Sequence, residues 1–581
     1  MLLLDAVLKQ GALMSILGLK ASPPLFILCL LLAIGLQASA VATRGEAPVR
    51  VICQLTDLHI SKHETALPYG KIAHDLGLLA EEFINPLSPD VLLITGDAVD
   101  SKQINNAGRQ NAEEALVYEQ FLARIHESTT VLTVPGNHEK FDTGLKATNG
   151  TPSRLSVKAL TREGQVTDKK GEGECPAAIL VGIDASPRLG LRSPANFLAL
   201  MTDDDVRAIE ADLGKVNELK SGCEVPPVVI GFSHYPLSVF SQTHSVGLLG
   251  AISHALGGID SLDHPVPALL ARTANVYLSG HLHALFGQLH RVHASQGDVD
   301  GGRDAQHRLT ELESAAWKDD RRIRVMVVDS HAKSRCMSFT DYYFLTPSSP
   351  RMRANYSSDA AQRRQQGWED VFDRREDRWG LTSEGGGFSV DGTIALVTWP
   401  PDASYALCTG SSTAAETETS VTATEIETAD VRAVVLTMSD EEDADISVTA
   451  RLTSLQGGQL LGSVPLTLES DTDTSKQRLF VGAYDARLAA RLAGKPYLIH
   501  VEVEIRTDDG SVSRTVAASV PRVVTPDGSF VPLEQNLVEF VTLVRIGLAL
   551  RYWRIPSLLL MIRARSFAST STGRTSPIES T

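Results

Sequence analysis

The sequence predicts a layered α/β domain followed by a small all-β domain. Between residues 50 and about 345, short β-branched runs alternate with polar or helix-forming stretches, a pattern typical of α/β folds. From 394 to about 525 the apolar period changes to two, as where Val501, Val503 and Ile505 alternate with charged residues. That alternation predicts strands with one buried face, and we interpret the region as a β-sandwich.

Changes in composition divide the chain into six predicted segments. They are a signal peptide or signal anchor (1–40), the α/β domain (48–346), an insertion or linker (347–392), the all-β domain (393–526), a basic apolar C-terminal helix (533–565) and a disordered tail (566–581). The insertion and a second polar stretch, 295–308, show no hydrophobic period and are expected to be surface loops or disordered.

The N-terminal leader predicts entry into the secretory pathway. Its apolar run, residues 25–36, follows two lysines and precedes Ala38-Ser39-Ala40. Cleavage after Ala40 and an uncleaved anchor both remain open. We therefore expect a secretory or extracellular glycoprotein, with glycan acceptor sequences at Asn149 and Asn355.

Composition excludes several classes of protein. The chain has 581 residues, and its 54 basic against 70 acidic side chains give a net charge of −16, so nucleic-acid binding through a basic face is not expected. Six cysteines are too few for a disulfide scaffold, and without Cys29 of the leader an odd number remains, so their pairing stays open. No run of about 18 uninterrupted apolar residues occurs, which excludes a polytopic membrane protein.

The C-terminal region differs from the rest of the chain in charge. Residues 537–562 are apolar but interrupted by arginines, and Tyr552 and Trp553 lie among them. A basic, leucine-rich helix of this kind suits contact with a membrane surface through 537–565, and it equally suits packing on the protein's own core. Both arrangements remain open.

Five short blocks of polar residues follow strand-like runs and carry the candidate chemistry. The blocks are Asp57-Leu58-His59, Gly96-Asp97-Ala98-Val99-Asp100, Gly136-Asn137-His138-Glu139, Ser233-His234-Tyr235-Pro236 and Gly280-His281-Leu282-His283. Groups at strand ends converge on one edge of a sheet, so these side chains are expected to form one site. Carboxylate, amide and imidazole ligands without cysteine suit Mn, Fe or Zn, and their number suits two ions.

The five blocks, in this order, resemble the calcineurin-like metallophosphoesterase superfamily. The resemblance implies an α/β/β/α sandwich and two metal ions, divalent or of mixed valence. The first ion would be held by Asp57, His59, Asp97 and His283, and the second by Asp97, Asn137, His234 and His281. Asp97 would therefore bridge the two ions.

The resemblance also implies hydrolysis of phosphomonoesters or phosphodiesters. A hydroxide that bridges the ions would attack phosphorus, and the catalytic residue His138 would stabilise or protonate the leaving oxygen. Asp100 would orient metal ligands; purple acid phosphatases carry tyrosine there, so a tyrosinate–iron centre is not expected. Asn105 and Arg109 follow a ligand turn and are candidates for contact with a small-molecule or lipid-like phosphoester.

A narrower resemblance extends to other parts of the chain. The segments Gly108-Arg109-Gln110, Pro194-Ala195-Asn196-Phe197, Glu311-Leu312-Glu313 and 317–324 resemble the transmembrane protein 62 group of these phosphoesterases. That group's layout implies a luminal phosphoesterase domain, an immunoglobulin-like β-domain and then membrane helices, and this chain ends where the helices would begin. Residues 317–324 are interpreted as a basic strip that recruits phosphate or, preferably, as an Arg/Trp surface that supports the closing strand.

A function from a different class remains open. The same ligands would suit a metal-stabilised binding or scaffold protein of the secretory pathway with little or no catalysis. Such proteins usually lose a ligand or the catalytic histidine, and this chain retains every one of them. The sequence therefore favours the hydrolase.

Overall fold

Two β-sheets lie face to face in the first part of the structure, a computed structural model. The strands, numbered along the chain, are β1 (Val49–Leu55), β2 (Val91–Thr95), β3 (Thr130–Val134), β4 (Leu155–Leu160), β5 (Val166–Thr167), β6 (Ala178–Ile183), β7 (Ala199–Met201), β8 (Val228–Ser233), β9 (Phe240–Gln242), β10 (Val276–Ser279), β11 (His290–Ala294), β12 (Arg308–Glu313), β13 (Arg322–Asp329), β14 (Ser334–Leu345), β15 (Gly380–Ser383), β16 (Phe388–Ser389), β17 (Ile394–Trp399), β18 (Cys408–Gly410), β19 (Asp430–Leu436), β20 (Asp445–Ser454), β21 (Leu460–Asp471), β22 (Gln477–Ala483), β23 (Tyr497–Arg506), β24 (Val512–Ala518) and β25 (Arg522–Val524). The first sheet has the order β16-β15-β14-β13-β1-β2-β3, with β18 paired to β14, and the second has the order β11-β12-β10-β8-β6-β4-β5. Strands β7 and β9 form a small separate pair.

The structure describes residues 49–524 apart from several gaps. These gaps are 62–68, 102–111, 141–153, 172–173, 187–197, 243–264, 284–289, 295–307, 331–333, 347–379, 384–387, 390–391, 401, 403–404, 406, 411–429, 439–444, 456–457, 472–476, 486–487, 489–490, 493–494, 507–511 and 520. The predictions for the leader, the C-terminal helix, the tail, both glycan acceptors, Asn105 and Arg109 fall outside the described residues. Among the described helices, none has the length and apolarity needed to span a membrane.

Helices cover the outer face of each sheet. They are α1 (Tyr69–Leu78, continued by a π-helical turn, Leu79–Ile84, and a short α turn, Asn85–Leu87), α2 (Ala112–Arg124), α3 (Asp203–Lys220), α4 (Pro265–Thr273) and α5 (Trp317–Asp320), with 3-10 turns at His138–Lys140 and Leu237–Val239. Along β1, Val51 and Cys53 pack on the side of α1, whereas Ile52 faces Ile230 and Leu278 of the second sheet. Because successive strand residues point to opposite faces, both faces of β1 are buried, which confirms the layered α/β prediction.

A buried arginine joins the two sheets. The guanidinium of Arg324, on β13, donates to Asp341 of β14 at 2.7 and 2.8 Å and to the backbone carbonyls of Leu312 and Glu313 on β12 at 3.0 and 2.9 Å. A charge this far from water needs an opposite charge and a full set of acceptors, and Arg324 has both.

The tryptophan and the arginines of residues 317–324 lie inside the protein, which contradicts the phosphate-recruiting interpretation, whereas Lys318 and Asp319 reach the surface. Trp317, Arg321 and Arg324 are completely buried, and Arg321 Nε donates to the carboxylate of Asp75 at 3.0 Å. The preferred interpretation, support for the closing strand, agrees with this position, but the support comes from the interior and not from a surface. Sequence spacing could not show this, because a paired arginine can be buried as well as exposed.

The C-terminal strands form one continuous antiparallel sheet. Its order is β17-β19-β22-β21-β20-β23-β24, with β25 paired to β23. Strands β19, β20 and β23 confirm the alternating patterns read from the sequence. Strand β21 pairs with β20 along residues 460–466 and with β22 along residues 467–471, so it joins two groups of strands whose apolar faces share one core. Alternation specifies which face of a strand is buried, and it does not specify which edges pair.

Part of the predicted linker belongs to the first sheet. Strand β15 pairs with β14, and β16 pairs with β15, within a stretch that we expected to be surface loop or disordered. Strand β15 is four residues long and β16 is two, which is too short for hydrophobic periodicity to be visible.

The all-β domain packs directly on the α/β domain. Ile394 and Leu396 of β17 and Val434 of β19 share one buried apolar cluster with Val325 and Val327 of β13. The two domains therefore share part of their core, and burial of this surface contributes to the stability of both.

An ion pair inside this contact predicts a large loss of stability on substitution. Arg432 of β19 donates to both carboxylate oxygens of Asp329 on β13, at 3.0 and 3.3 Å. We expect Arg432→Met to lower the free energy of unfolding by about 3–5 kcal/mol, because Asp329 would remain buried without its cation. Urea denaturation measures this. Arg451→Met is the control: its pairing with Glu502 is solvent-exposed, so its loss should cost about 1 kcal/mol or less. Equal losses in the two variants would contradict the prediction.

The structure answers part of the question of cysteine pairing. Cys175 and Cys223 form a disulfide, which ties the segment before β6 to the residues after α3. Cys336 is also disulfide-bonded and lies opposite Cys408 in the pairing of β14 with β18. Cys53 is a free, buried thiol, as its strand-like surroundings predict, and burial raises its pKa.

Candidate metal centre

The five polar blocks form the loops at the C-terminal ends of five strands. Asp57, Asp97 and Asn137 follow β1, β2 and β3 of the first sheet, and His234 and His281 follow β8 and β10 of the second. The parallel pairing of β1 with β2 and of β2 with β3 places the first three loops side by side. The backbone N–H of His281 donates to Asp57 Oδ2 at 3.0 Å, which joins the loops of the two sheets.

The backbone of these loops is unusual for residues with side chains. Positive φ angles occur at Asp57 (52°), His59 (44°), Asp97 (52°), His281 (75°) and His283 (56°). Left-handed backbone costs free energy outside glycine and persists only where the surroundings hold it in place. Here the N–H of Asp57 donates to Gly96 O at 3.1 Å, and the N–H of His59 donates to Asp97 O at 2.9 Å. The loops are therefore held in the conformation that aims their side chains at one point.

Glycine at position 280 makes room for one of these side chains. A Cβ there would lie 2.3 Å from Asp57 Oδ2 and 1.9 Å from Thr56 Oγ1. Those two oxygens are themselves hydrogen-bonded, 2.6 Å apart. A larger residue would therefore displace the carboxylate of Asp57.

One group of ligand atoms, the Asp57 cluster, consists of Asp57, His59 and His283. Their ligand atoms lie within 4.8 Å of one another. Asp57 Oδ1 is 3.1 Å from His283 Nε2 and 3.5 Å from His59 Nε2, and the two imidazole nitrogens are 2.9 Å apart. The three side chains converge from the loops after β1 and β10.

A second group, the His234 cluster, consists of Asp97, Asn137, His234 and His281. His234 Nε2 lies at its centre, 3.3 Å from Asp97 Oδ2, 3.0 Å from Asn137 Oδ1 and 3.0 Å from His281 Nδ1. Asp97 Oδ2 is also 3.6 Å from His59 Nε2 of the Asp57 cluster. The carboxylate of Asp97 therefore lies between the two clusters.

The outer nitrogens of three histidines fix the direction of their inner nitrogens. The Nδ1 contacts are His59 with Asp100 Oδ1 at 3.3 Å, His283 with Asp319 Oδ2 at 3.0 Å, and His234 with the backbone carbonyl of Thr95 at 2.9 Å. Ionised carboxylate and carbonyl oxygens only accept, so Nδ1 carries the proton in each case. Each Nε2 can then present a lone pair to the centre, which is the usual arrangement around metal-binding histidines.

These residues fit a pair of cations. Asp57 Oδ1 is buried, and the described groups that face it are the Nε2 atoms of His283 at 3.1 Å and of His59 at 3.5 Å. In both clusters, imidazole nitrogens face one another at hydrogen-bond distance, which is favourable only with a cation or a shared proton between them. Carboxylate, amide and imidazole donors without thiolate suit Mn, Fe or Zn.

Electrostatics couple the two buried carboxylates to the histidines. Burial opposes the ionisation of Asp57 and Asp97, but nearby histidines, foremost His283 and His234 respectively, outweigh it and hold both pKa values well below the usual range. Burial likewise opposes protonation of these two histidines. The carboxylates outweigh it and raise the pKa of His234 to about 9 and that of His283 to about 10.

Metal affinity is therefore expected to rise with pH. In the metal-free protein at pH 7, His234 and His283 carry an extra proton, because their pKa values of about 9 and about 10 lie above that pH. Metal binding must release this proton, so affinity should rise about tenfold per pH unit for each histidine until about pH 9. Calorimetric titration of Mn²⁺ in buffers of different ionisation enthalpy measures both affinity and proton release. Affinity that does not change with pH would contradict the prediction.

His138 lies at the border of the two clusters. Its backbone N–H donates to Asp97 Oδ1 at 2.9 Å, its Nδ1 contacts the backbone carbonyl of Asp100, and its Nε2 is 3.7 Å from Asp97 Oδ2. Its side chain keeps 12% of its surface exposed, so a ligand can reach it. Burial lowers the pKa of His138 to about 4, which leaves the imidazole neutral at pH 7.

The structure brings together all nine of the predicted site residues that it describes, and it adds two that the sequence did not single out. Glu139 is half-buried, and its carboxylate accepts the N–H groups of Gly136, Asp97 and Val99 at 2.7, 3.0 and 3.3 Å. It thus joins the loops after β2 and β3. Its place directly after His138 was a signal that could have found it. Asp319, which contacts His283, lies 36 residues further along the chain, and no spacing rule points to it.

Two adjoining clusters of metal-ligating side chains thus lie at the strand ends of the two facing sheets. Residues 50–285 match the family model of the calcineurin-like phosphoesterases, and they form a domain of that family. The family prediction from the five blocks is therefore confirmed.

Two curated relatives carry the comparison further. A protein of Arabidopsis thaliana named "Putative metallophosphoesterase" is 25% identical over 349 residues, which cover 52% of this chain and 43% of the relative. Transmembrane protein 62 of Mus musculus is 25% identical over 302 residues, which cover 50% of this chain and 39% of the relative. The chain thus spans about two fifths of the length of each. Purple acid phosphatase from yellow lupin seeds matches with a TM-score of 0.28 and 14% identity over 50% of this chain and 51% of its own.

Proposed function

We propose that the protein is a binuclear metal-dependent hydrolase of phosphomonoesters or phosphodiesters. The position of Asp97 is the observation that carries this proposal. Its Oδ2 lies 3.3 Å from His234 Nε2 in one cluster and 3.6 Å from His59 Nε2 in the other. A carboxylate placed between two sets of ligands is what a pair of ions that share one ligand requires.

The ions would occupy the two clusters. The Asp57 cluster together with Asp97 would hold one ion, and the His234 cluster would hold the other. When bound, the ions supply positive charge for a phosphoester group and lower the pKa of water. The protein supplies the fixed geometry, because hydrogen bonds to Asp100, Asp319 and Thr95 hold the histidine rings before any ion arrives.

His138 is the proposed acid or stabiliser of the leaving oxygen. Because the carbonyl of Asp100 accepts the Nδ1 proton, Nε2 is the nitrogen that faces a substrate oxygen, and it donates once the ring takes up a second proton. The imidazole is neutral at pH 7 without substrate, with a pKa of about 4. A phosphate group beside it would raise that pKa, because negative charge favours the protonated ring.

A combined metal and activity measurement tests the proposal. We expect two ions per chain after reconstitution with Mn²⁺, Zn²⁺ or Fe, and hydrolysis of p-nitrophenyl phosphate or its bis-ester that a chelator abolishes. Two bound ions without hydrolysis of either ester would instead favour the metal-stabilised binding protein. Failure to bind two ions would contradict both functions.

We further propose a secretory or extracellular location with membrane association. The disulfide between Cys175 and Cys223 supports an oxidising compartment, and a relative is named as a transmembrane protein. Glycosidase treatment of protein expressed in a eukaryotic cell should increase its gel mobility; unchanged mobility would count against this location.

For the all-β domain, an immunoglobulin-like class is proposed from the resemblance to the transmembrane protein 62 group. Small-molecule or lipid-like phosphoesters are the proposed substrates.

A further inference from the structure

We propose that Asp319 positions His283 and thereby makes the Asp57 cluster bind its ion more tightly than the His234 cluster binds the other. This inference rests on the proposed binuclear centre and assigns its two positions unequal affinities. It starts from the 3.0 Å contact between Asp319 Oδ2 and His283 Nδ1. A carboxylate in this place holds the ring orientation and increases the basicity of the opposite nitrogen, which here faces Asp57 Oδ1 at 3.1 Å.

Asp319 is held in a fixed relation to the ligand loop. It belongs to α5, where the N–H of Trp317 donates to Thr56 O at 3.0 Å and the N–H of Lys318 donates to Asp57 O at 3.2 Å. The short helix is thus hydrogen-bonded to the backbone of a metal-ligand residue. The carboxylate that orients His283 and the carboxylate of Asp57 therefore share one rigid support.

Buried Arg321 anchors the other end of α5. Its Nε donates to Asp75 Oδ2 at 3.0 Å, and its Nη1 donates to the carbonyls of Trp317 and Lys318 at 3.0 and 2.8 Å. These bonds close the C-terminal end of the helix from the protein interior. Asp319 itself keeps 49% of its side chain exposed, so it can be replaced without creating a cavity.

The two clusters differ in the groups that contact the outer nitrogens of their histidines. In the Asp57 cluster, both histidines contact carboxylates, His59 with Asp100 at 3.3 Å and His283 with Asp319 at 3.0 Å. In the His234 cluster, His234 contacts the neutral backbone carbonyl of Thr95 at 2.9 Å. Glu139 adds one carboxylate near the His234 cluster, where it accepts the N–H of Asp97 at 3.0 Å. The Asp57 cluster has two, and both contact its histidines directly, which favours a cation there.

Metal titration of matched variants tests the inference. Metal-free wild type, Asp319→Asn and Asp319→Ala are titrated with Mn²⁺ by calorimetry, together with Asp168→Asn, which makes the same charge change at a side chain that is 74% exposed. We expect two binding steps in wild type and in Asp168→Asn. In Asp319→Ala the tighter step should weaken about 10- to 100-fold while the weaker step is unchanged, with a smaller effect in Asp319→Asn because an amide oxygen still accepts a hydrogen bond.

Further readouts separate a positioning role from a merely structural one. The melting temperature of the metal-free Asp319 variants should fall only slightly below that of wild type, because the contact of Asp319 with His283 is partly exposed. The visible spectrum of the Co²⁺-loaded Asp319 variants should differ from that of wild type. Two equal steps in wild type, unchanged constants in both Asp319 variants, or equal weakening of both steps would each overturn the inference while the binuclear centre stands. Absence of any binding by wild type would overturn the binuclear centre itself.

Discussion

Replacement of Asp97 by alanine is expected to remove both metal ions and to lower phosphoesterase turnover about 10³-fold or more. The carboxylate lies between the clusters, close to His234 and His59, and its loss removes a ligand and a negative charge from both positions. The two ions together are expected to stabilise the transition state by several kcal/mol, and each 1.4 kcal/mol corresponds to about a factor of ten in rate.

Metal content must be measured beside activity in this experiment. Asp97→Asn keeps the size of the side chain and removes only its charge, so it separates a packing defect from the loss of a ligand. Asp204→Asn, at an exposed carboxylate of α3, is the control and should retain both ions and full turnover. An Asp97→Ala protein that holds two ions would refute the bridging role of this residue.

The second large effect is expected for His138→Ala, which should keep both ions and lose turnover by about 10²- to 10⁴-fold. General acid catalysis by one positioned side chain typically contributes that much. Nδ1 of His138 is already engaged by the Asp100 carbonyl and its Nε2 lies at the edge of the clusters, so the ring is placed to meet a substrate rather than to complete either cluster.

The proximity of His138 to His59 and Asp100 makes this a discriminating test. These three side chains also place ligand atoms within 4.8 Å of one another, so a ligand role for His138 would appear as a lower metal content. His126→Ala is a matched control, because this histidine is exposed and its imidazole bonds to the neighbouring Ser128. Loss of an ion from His138→Ala, or unchanged turnover, would overturn its assignment as the acid.

The main parts of the site were predictable because the ligands follow a local rule. Asp57, Asp97 and His234 each come directly after an apolar strand, and parallel strands bring their C-terminal ends to one edge. Asp319 could not be predicted in this way, because its contact with His283 depends on how α5 packs against the loop after β1. No periodicity in the sequence encodes that docking.

Other limits of the sequence concern pairing and burial. Arg324 can be buried because it pairs with Asp341 on the neighbouring strand β14. In the sequence alone, a run of arginines indicates an exposed surface or a phosphate-binding site. The single C-terminal sheet and the short strands β15 and β16 depend on which edges meet, which alternating residues do not specify.

The shared core between the two domains has a practical consequence for dissecting the chain. Cutting it after residue 346 would remove Ile394, Leu396 and Val434 from the apolar cluster that they share with Val325 and Val327, and would expose the part of the cluster that they cover. Such a fragment would expose apolar surface that is normally buried and would tend to aggregate. Inactivity of the shortened protein would therefore report a damaged scaffold, and it would carry no information on whether the all-β domain touches substrate.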